Sequence, residues 1–284
     1  MKFPPFSYAC PTSIAEAIEL LNDDEDSRPL AGGQSLLPMM ALRVAAPGML
    51  VDLGGIDMLR QSAVLPDSMR IGAMVTHAAN AASLDIWMHF PLMSQALHHV
   101  AHQAVRNRGT FGGSIAHADA GAEMPLVVSA LDGMLLLQGP GGARALPAAD
   151  FFQGHYTTAI EPGEILTGVE LPFSGMDWAF EEMARRSGDL AIAMAAAGVR
   201  VEDGICREAR LMFGSISDRP IRAAEAEAYL AERELTPSVI REAAAMAASG
   251  IHARSDTHAS ADYRLSLATA LMRRALTRLA TGAM

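Results

Sequence analysis

Apolar residues recur with helical spacing at Ile14, Ala17, Ile18 and Leu21, directly after Ser13 and with Glu16 close behind it. That pattern predicts a capped helix over residues 13–21, because the Ser13 hydroxyl and the Glu16 carboxylate can satisfy backbone groups of its first turn. The acidic stretch Asn22-Asp23-Asp24-Glu25-Asp26-Ser27 ends it as a solvated loop. Arg28-Pro29-Leu30-Ala31 then leads into Gly32-Gly33 as a strand would. Residues 36–44 read as a helix with Pro38 near its start, and residues 49–53 as a buried strand.

From Gly54 to about Pro172 the pattern changes to shorter strands, such as 69–74 and 133–138, with helical stretches between them. Glu161-Pro162-Gly163-Glu164 is a turn that introduces a strand over 165–171, and residues 172–175 form a linker. Residues 180–186, 190–201 and 205–213 read as three strands turned at Gly188 and at Asp203-Gly204, and the simplest arrangement is an antiparallel meander. Helical periodicity marks 223–231, 237–248 and 262–280. The fold class expected is α+β, with domains at 1–56, 57–174 and 175–284.

Half of the 284 residues are hydrophobic, which suffices for a buried core. The 22 basic against 32 acidic residues give a net charge of -10, which argues against a nucleic-acid surface. The longest apolar run, 190–199, is too short to span a bilayer, and Met1-Lys2-Phe3-Pro4-Pro5 lacks the core of a signal peptide. A cytoplasmic protein without a membrane span is expected. Cys10 and Cys206 read as reduced thiols, since neither has ligand spacing around it. His98, His99 and His102 read as helix surface or subunit contact rather than a metal site, because no further ligands accompany them. No catalytic triad or zinc-hydrolase motif stands out.

Two glycine-pair loops carry the chemistry, Ala31-Gly32-Gly33-Gln34-Ser35 and Thr110-Phe111-Gly112-Gly113-Ser114. Adjacent glycines let the backbone approach an anion and aim amide N–H groups at it, while Ser35, Ser114 and Gln34 add side-chain donors. The helix beginning near Leu36 adds the positive end of its dipole. A glycine pair serves equally well in a purely structural turn. The two loops together could clasp a diphosphate, and neither GxxxxGK[ST] nor GxGxxG is present to compete.

The stretches Ala31-Gly32-Gly33-Gln34-Ser35-Leu36-Leu37-Pro38-Met39-Met40 and Arg106-Asn107-Arg108-Gly109-Thr110-Phe111-Gly112-Gly113-Ser114-Ile115-Ala116-His117-Ala118-Asp119 resemble the paired FAD motifs of molybdenum hydroxylase flavoproteins. These are the medium subunits of the carbon monoxide dehydrogenase and xanthine dehydrogenase family. The likeness continues through Ala122-Glu123-Met124-Pro125, Glu161-Pro162-Gly163-Glu164-Ile165-Leu166 and Ala184-Arg185-Arg186-Ser187-Gly188-Asp189. Gly72-Ala73-Met74-Val75-Thr76-His77 and Arg254-Ser255-Asp256 bring it nearest to members that oxidise nitrogen heteroaromatics.

The resemblance implies a two-domain FAD-binding fold of the vanillyl-alcohol oxidase (PCMH) type, followed by a C-terminal domain of a three-stranded antiparallel sheet with helices. It implies noncovalent FAD in this chain. The molybdenum cofactor would lie in a large partner subunit and two [2Fe–2S] clusters in a small one, within a dimer of heterotrimers. The alternative is a self-contained flavin oxidase or reductase of the same fold.

By position in the family pattern, the backbones of Gly32, Gly33, Gly112 and Gly113, with Ser35, Thr110 and Ser114, would hold the diphosphate, and Ala31, Gln34 and Phe111 in the same stretches would belong to the cofactor site. Glu123 matches the acid that bonds the adenosine ribose, or is simply a helix-start charge. Asp119 would share that task or cap the following helix. Val100 and Leu166 match apolar positions that line the adenine or flavin, or serve as core. Glu182 stands where many relatives have Lys near the flavin, and Leu190 where many have Tyr or Phe, so both would alter the flavin end. Arg106 and Arg108 would balance phosphate charge or meet a partner subunit.

Overall fold

The computed structural model describes residues 2–282, so Met1, Ala283 and Met284, at the outer ends of the first and last expected domains, lie outside the described residues. Three main sheets follow one another along the chain, with a small two-stranded sheet of Phe152–Gly154 and Thr157–Thr158 beside them. In the first, Ser7–Ala9 and Ser27–Leu30 both run parallel to the central strand Met49–Asp52. Ser7–Ala9 escaped the sequence reading because its three residues are largely exposed and carry no apolar alternation.

The first helix is Ile14–Asp23 and buries Ile14, Ala17 and Leu21. Ser13 Oγ accepts from the Glu16 N–H at 3.2 Å, whereas Glu16 Oε2 accepts from the Thr12 N–H at 3.0 Å rather than from Ser13 itself. The capping box is therefore displaced by one residue on its return arm. The second helix, Leu36–Ala41, stops short of the expected 44, and Arg43 turns the chain there with a φ of 59°.

The second sheet is antiparallel, in the order Ser62–Val64, Ser68–Gly72, Ile165–Pro172, Met134–Gly139, Gly142–Pro147. Short helices between His77 and Ala130 pack over it, and Glu123–Ala130 among them is buried nearly all round. This explains why no helical stripe marked its place in the sequence.

In the third sheet Asp177–Met183, Ala193–Glu202 and Ile205–Gly214 form the expected antiparallel meander, and Ile221–Arg222 and Arg233–Glu234 add short edges to Ile205–Gly214. The first strand begins three residues earlier than the 180 read from sequence, because Trp178 rather than Phe180 opens the buried row. The second begins at Ala193, since 184–192 form the connecting turn. Ala193 to Val199 is buried on both faces: Met194 and Ala196 join the core of the second sheet, while Ala193, Ala195 and Ala197 join a separate core under the C-terminal helices. A strand between two such layers loses its polar alternation.

Helices Ala224–Leu230, Pro237–Ala248 and Ala261–Thr281 close that second core. Gln95, on helix Pro91–Leu97, joins the second and third sheets: its amide donates to Trp178 O at 2.9 Å, and its Oε1 accepts from the Phe180 N–H at 3.0 Å and from Arg278 Nη2 at 3.1 Å. Among the described residues, no helix is long and apolar enough to cross a membrane.

Candidate functional site

A cleft of about 650 Å³ runs between the three sheets. Ala31 to Leu36 supply one wall, Thr110, Gly112, Gly113 and Ser114 face them, and Gly188 to Leu190 close the third side. Val100, Asp119, Glu123 and Leu166 line it too. Of the residues expected at the site, Phe111 and Glu182 do not line it. Phe111 is fully buried in the core, where an aromatic opening a helix finds apolar neighbours, and Glu182 sits behind the wall.

The two loops contribute differently. In the first, Gly33 takes a φ of +71° and Ser35 is right-handed, so successive N–H groups converge on one side. Among the described residues, none accepts from the N–H of Gly32, Gly33, Gln34 or Ser35. Gln34 Nε2 folds back onto Gly32 O at 3.2 Å. Helix Leu36–Ala41 leads away from this nest, and the Ser35 hydroxyl caps none of its amides.

The second loop is not an open nest. Its amides are already used: Phe111 N donates to Val75 O at 2.9 Å, Gly112 N to Ala73 O at 2.9 Å, Gly113 N to Thr110 Oγ1 at 3.1 Å and Ser114 N to Thr110 O at 3.1 Å. What it offers the cleft is the Thr110 and Ser114 hydroxyls and a surface without side-chain bulk. The glycines also have packing reasons. A Cβ on Gly112 would lie 2.4 Å from the Ala73 Cβ, and one on Gly113 would lie 2.7 Å from Thr110 Oγ1 and 3.2 Å from the Ala31 Cβ. The structural and the anion-binding readings of these pairs are therefore compatible.

Acidic groups gather at the far end. Asp119 Oδ1 accepts from the Gly121 N–H at 2.9 Å and Oδ2 from the Tyr156 hydroxyl at 3.1 Å. The residues that frame this contact, Ala118 and Tyr156, both take left-handed φ values of 50° and 55°, the strained backbone that tends to collect at functional sites. Glu123 opens its helix with 6% of its surface exposed. Burial, then the Glu182 charge, pushes its carboxyl up to about 8. Burial therefore favours the neutral carboxylic acid over the carboxylate.

Glu182 Oε1 lies 3.6 Å from His99 Nδ1, and the Glu182 contact holds that imidazole above its usual range. The three neighbouring histidines diverge: His98 Nδ1 meets Ser94 O at 2.8 Å, His99 faces Glu182, and the His102 ring lies against Gly188. Among the described residues, no group of His, Cys, Asp and Glu is arranged to hold a metal ion. Cys10 and Cys206 are both free.

Val100 and Leu166 are buried yet line the cleft, so core and lining roles coincide. Leu190 is 61% exposed at its rim. Arg106 faces the backbone rather than the cleft, its Nη1 donating to Val100 O at 2.8 Å and Ala101 O at 2.7 Å. Arg108 lines a smaller cavity of about 260 Å³ with Arg60, on the other side of Gly32. His77 was not singled out from sequence, yet it lines the cleft; burial, then the Arg106 charge, lowers its imidazole to about 4. His77 closes the stretch Gly72-Ala73-Met74-Val75-Thr76-His77 quoted for its resemblance, but nothing in that spacing marks the histidine itself as a cleft residue.

Residues 4–174 match the family model described as FAD binding domain in molybdopterin dehydrogenase, and residues 178–279 match the CO dehydrogenase flavoprotein C-terminal domain. The nicotine 6-hydroxylase medium subunit of Paenarthrobacter nicotinovorans is 42% identical over 97% of this chain and 98% of its own length. The carbon monoxide dehydrogenase medium chain of Afipia carboxidovorans is 37% identical, covering 96% of each. Among solved structures, a chain of quinoline 2-oxidoreductase from Pseudomonas putida 86 superposes with a TM-score of 0.97 at 45% identity, covering 100% of both.

Proposed function

This chain belongs to the FAD-binding medium subunits of the molybdenum hydroxylase family, and on that premise we propose that it is the electron-exit subunit of a heterotrimeric hydroxylase. The observation that carries the reading is the set of unpartnered N–H groups from Gly32 to Ser35 facing the Thr110 and Ser114 hydroxyls across one cleft. Those donors fit a diphosphate, and the bulk-free surfaces of Gly112 and Gly113 let it lie close. In this reading Ala31 and Gln34 shape the first loop, Phe111 anchors the second from the core, and Val100, Leu166 and Leu190 flank the rings. FAD, held noncovalently, supplies the capacity to take up electrons and pass them on.

The residues of this chain bind, orient and shield that group; substrate oxidation belongs to other chains. We assign the molybdenum cofactor to a large partner, the [2Fe–2S] clusters to a small one, and the whole to a cytoplasmic dimer of heterotrimers, with an acceptor outside the complex taking the electrons. Domains at 1–56, 57–174 and 175–284 correspond in this reading to the three sheets. The relatives are named as a medium subunit and a medium chain, which supports a subunit over a self-contained oxidase. A nitrogen-heteroaromatic substrate for the complex draws support from the relatives named for nicotine and quinoline.

Purified alone, the chain should be yellow, release FAD on denaturation and turn over no substrate. Gly33→Asp with Gly113→Asp should leave it colourless, since each adds a carboxylate where the phosphates would lie. A wild-type chain that takes up no added FAD would sink the proposal.

A further inference from the structure

Glu123 and Glu182 reach the same place from different elements. Glu182 shares a face of strand Asp177–Met183 with Phe180 and Trp178, the face that packs on the core of the second sheet. Its side chain is 3% exposed, Oε1 lies toward His99, and Oε2 has no hydrogen-bond partner among the described residues. Glu123 lines the cleft, close enough to this buried acid for the Glu182 charge to act on it.

The charges that act on Glu123 are acidic, Glu182 and Asp119, while the nearby guanidinium of Arg254 bears on Tyr156 and pairs with Asp256 at 3.5 Å. Asp119 precedes Glu123 on the same turn, with one oxygen bound to Gly121 and the other to Tyr156. His117, on helix Phe111–His117, is pushed below its usual range by burial, and His155 stacks on Tyr156. His99 is engaged with Glu182, and from the connecting turn Asp189 pairs with Arg186 at 3.0 Å. Arg210 reaches only the opposite end of the helix, at Ala130 and Asp132. Lys2 is the chain's only lysine, so no ammonium group stands in for these arginines.

We propose that Glu123 meets its ligand as the neutral carboxylic acid, an O–H donor as well as an acceptor, and that Glu182, held by His99, is the positioning residue that keeps it so. A neutral acid can donate to a ring nitrogen, a carbonyl or a hydroxyl oxygen, which a carboxylate cannot do. The Glu182 carboxylate acts through space, because a second negative charge beside an already buried group disfavours ionisation. The inference builds on the FAD reading only in naming the ligand; the protonation state belongs to the protein itself.

The test follows the Glu123 carboxyl carbon by NMR in the full chain labelled with 13C-glutamate, assigning the resonance by its loss in Glu123→Gln. Its midpoint is expected near 8, as burial and Glu182 dictate. Glu182→Gln removes the neighbouring charge and should move that midpoint to lower pH, whereas a merely structural Glu182 would leave it in place. Titration of FAD by flavin fluorescence should show affinity in the wild type weakening as pH rises through about 8. In Glu123→Gln, whose amide donates at every pH, the affinity should be flat. A Glu123 midpoint in the ordinary carboxylate range, or one that Glu182→Gln does not move, overturns the proposal. Absence of FAD binding at any pH would overturn the cofactor reading instead, and the NMR titration would still decide this one.

Discussion

A Cβ built on Gly32 would lie 2.1 Å from the carbonyl oxygen of Arg108, so the first glycine loop rests directly on the backbone that leads into the second. The two loops are one packed unit. Gly32→Ala forces them apart and should cost more than about 2 kcal/mol of stability, with loss of FAD. Gly33→Ala meets only the flexible Leu37 side chain, but it must hold a φ of +71°. Its expected cost is about 1 kcal/mol. Thermal melts with and without FAD separate the two variants; equal behaviour would show that the Arg108 contact does not matter.

The depressed His77 imidazole sets a pH dependence. Its folded value, about 4, lies below the ordinary 6.5 of an exposed imidazole, so the unfolded chain binds the proton more readily. The stability it contributes is fully present above pH 6.5 and is lost as pH falls towards 4. His77→Gln should flatten that acid limb. Urea unfolding at several pH values between 7 and 4 reads the difference directly; identical limbs in both proteins would refute the assignment.

Gln95→Ala removes three hydrogen bonds that tie helix Pro91–Leu97 to strand Asp177–Met183 and Arg278. At about 1 kcal/mol per bond the loss should reach about 3 kcal/mol, more if the Trp178 carbonyl stays unpaired. The C-terminal sheet should become the first region to be cut by protease. Unchanged cleavage would mean that apolar packing alone joins the sheets.

Leu190, exposed at the rim, leaves that side of the cleft thinly covered. Leu190→Tyr adds a planar ring there and should slow reoxidation of the bound, reduced flavin by oxygen severalfold. Stopped-flow absorbance after chemical reduction provides the measurement, and an unchanged rate would place the oxygen path elsewhere.

Apolar spacing revealed the elements with a free polar face, such as Ile14–Asp23 and the C-terminal helices, and the length of the apolar run revealed Ala193–Glu202. It failed where no face is polar, as in Glu123–Ala130, and where an element is three residues long, as in Ser7–Ala9. The loop residues were legible because these two glycine pairs stand within stretches that resemble the family's FAD motifs, whereas Gly54-Gly55 and Gly141-Gly142 do not. Their division of labour was not, because whether an amide is free depends on Ala73 and Val75, which approach only in the folded chain. The environments of Glu123 and His77 were equally hidden, since burial is a property of neighbours rather than of spacing.

The cleft draws its walls from residues near 32, 112 and 189, so no contiguous piece of the chain contains it. A chain truncated before Gly188 lacks one wall of the cleft and should lose its grip on FAD, so tight binding should require all three parts of the sequence.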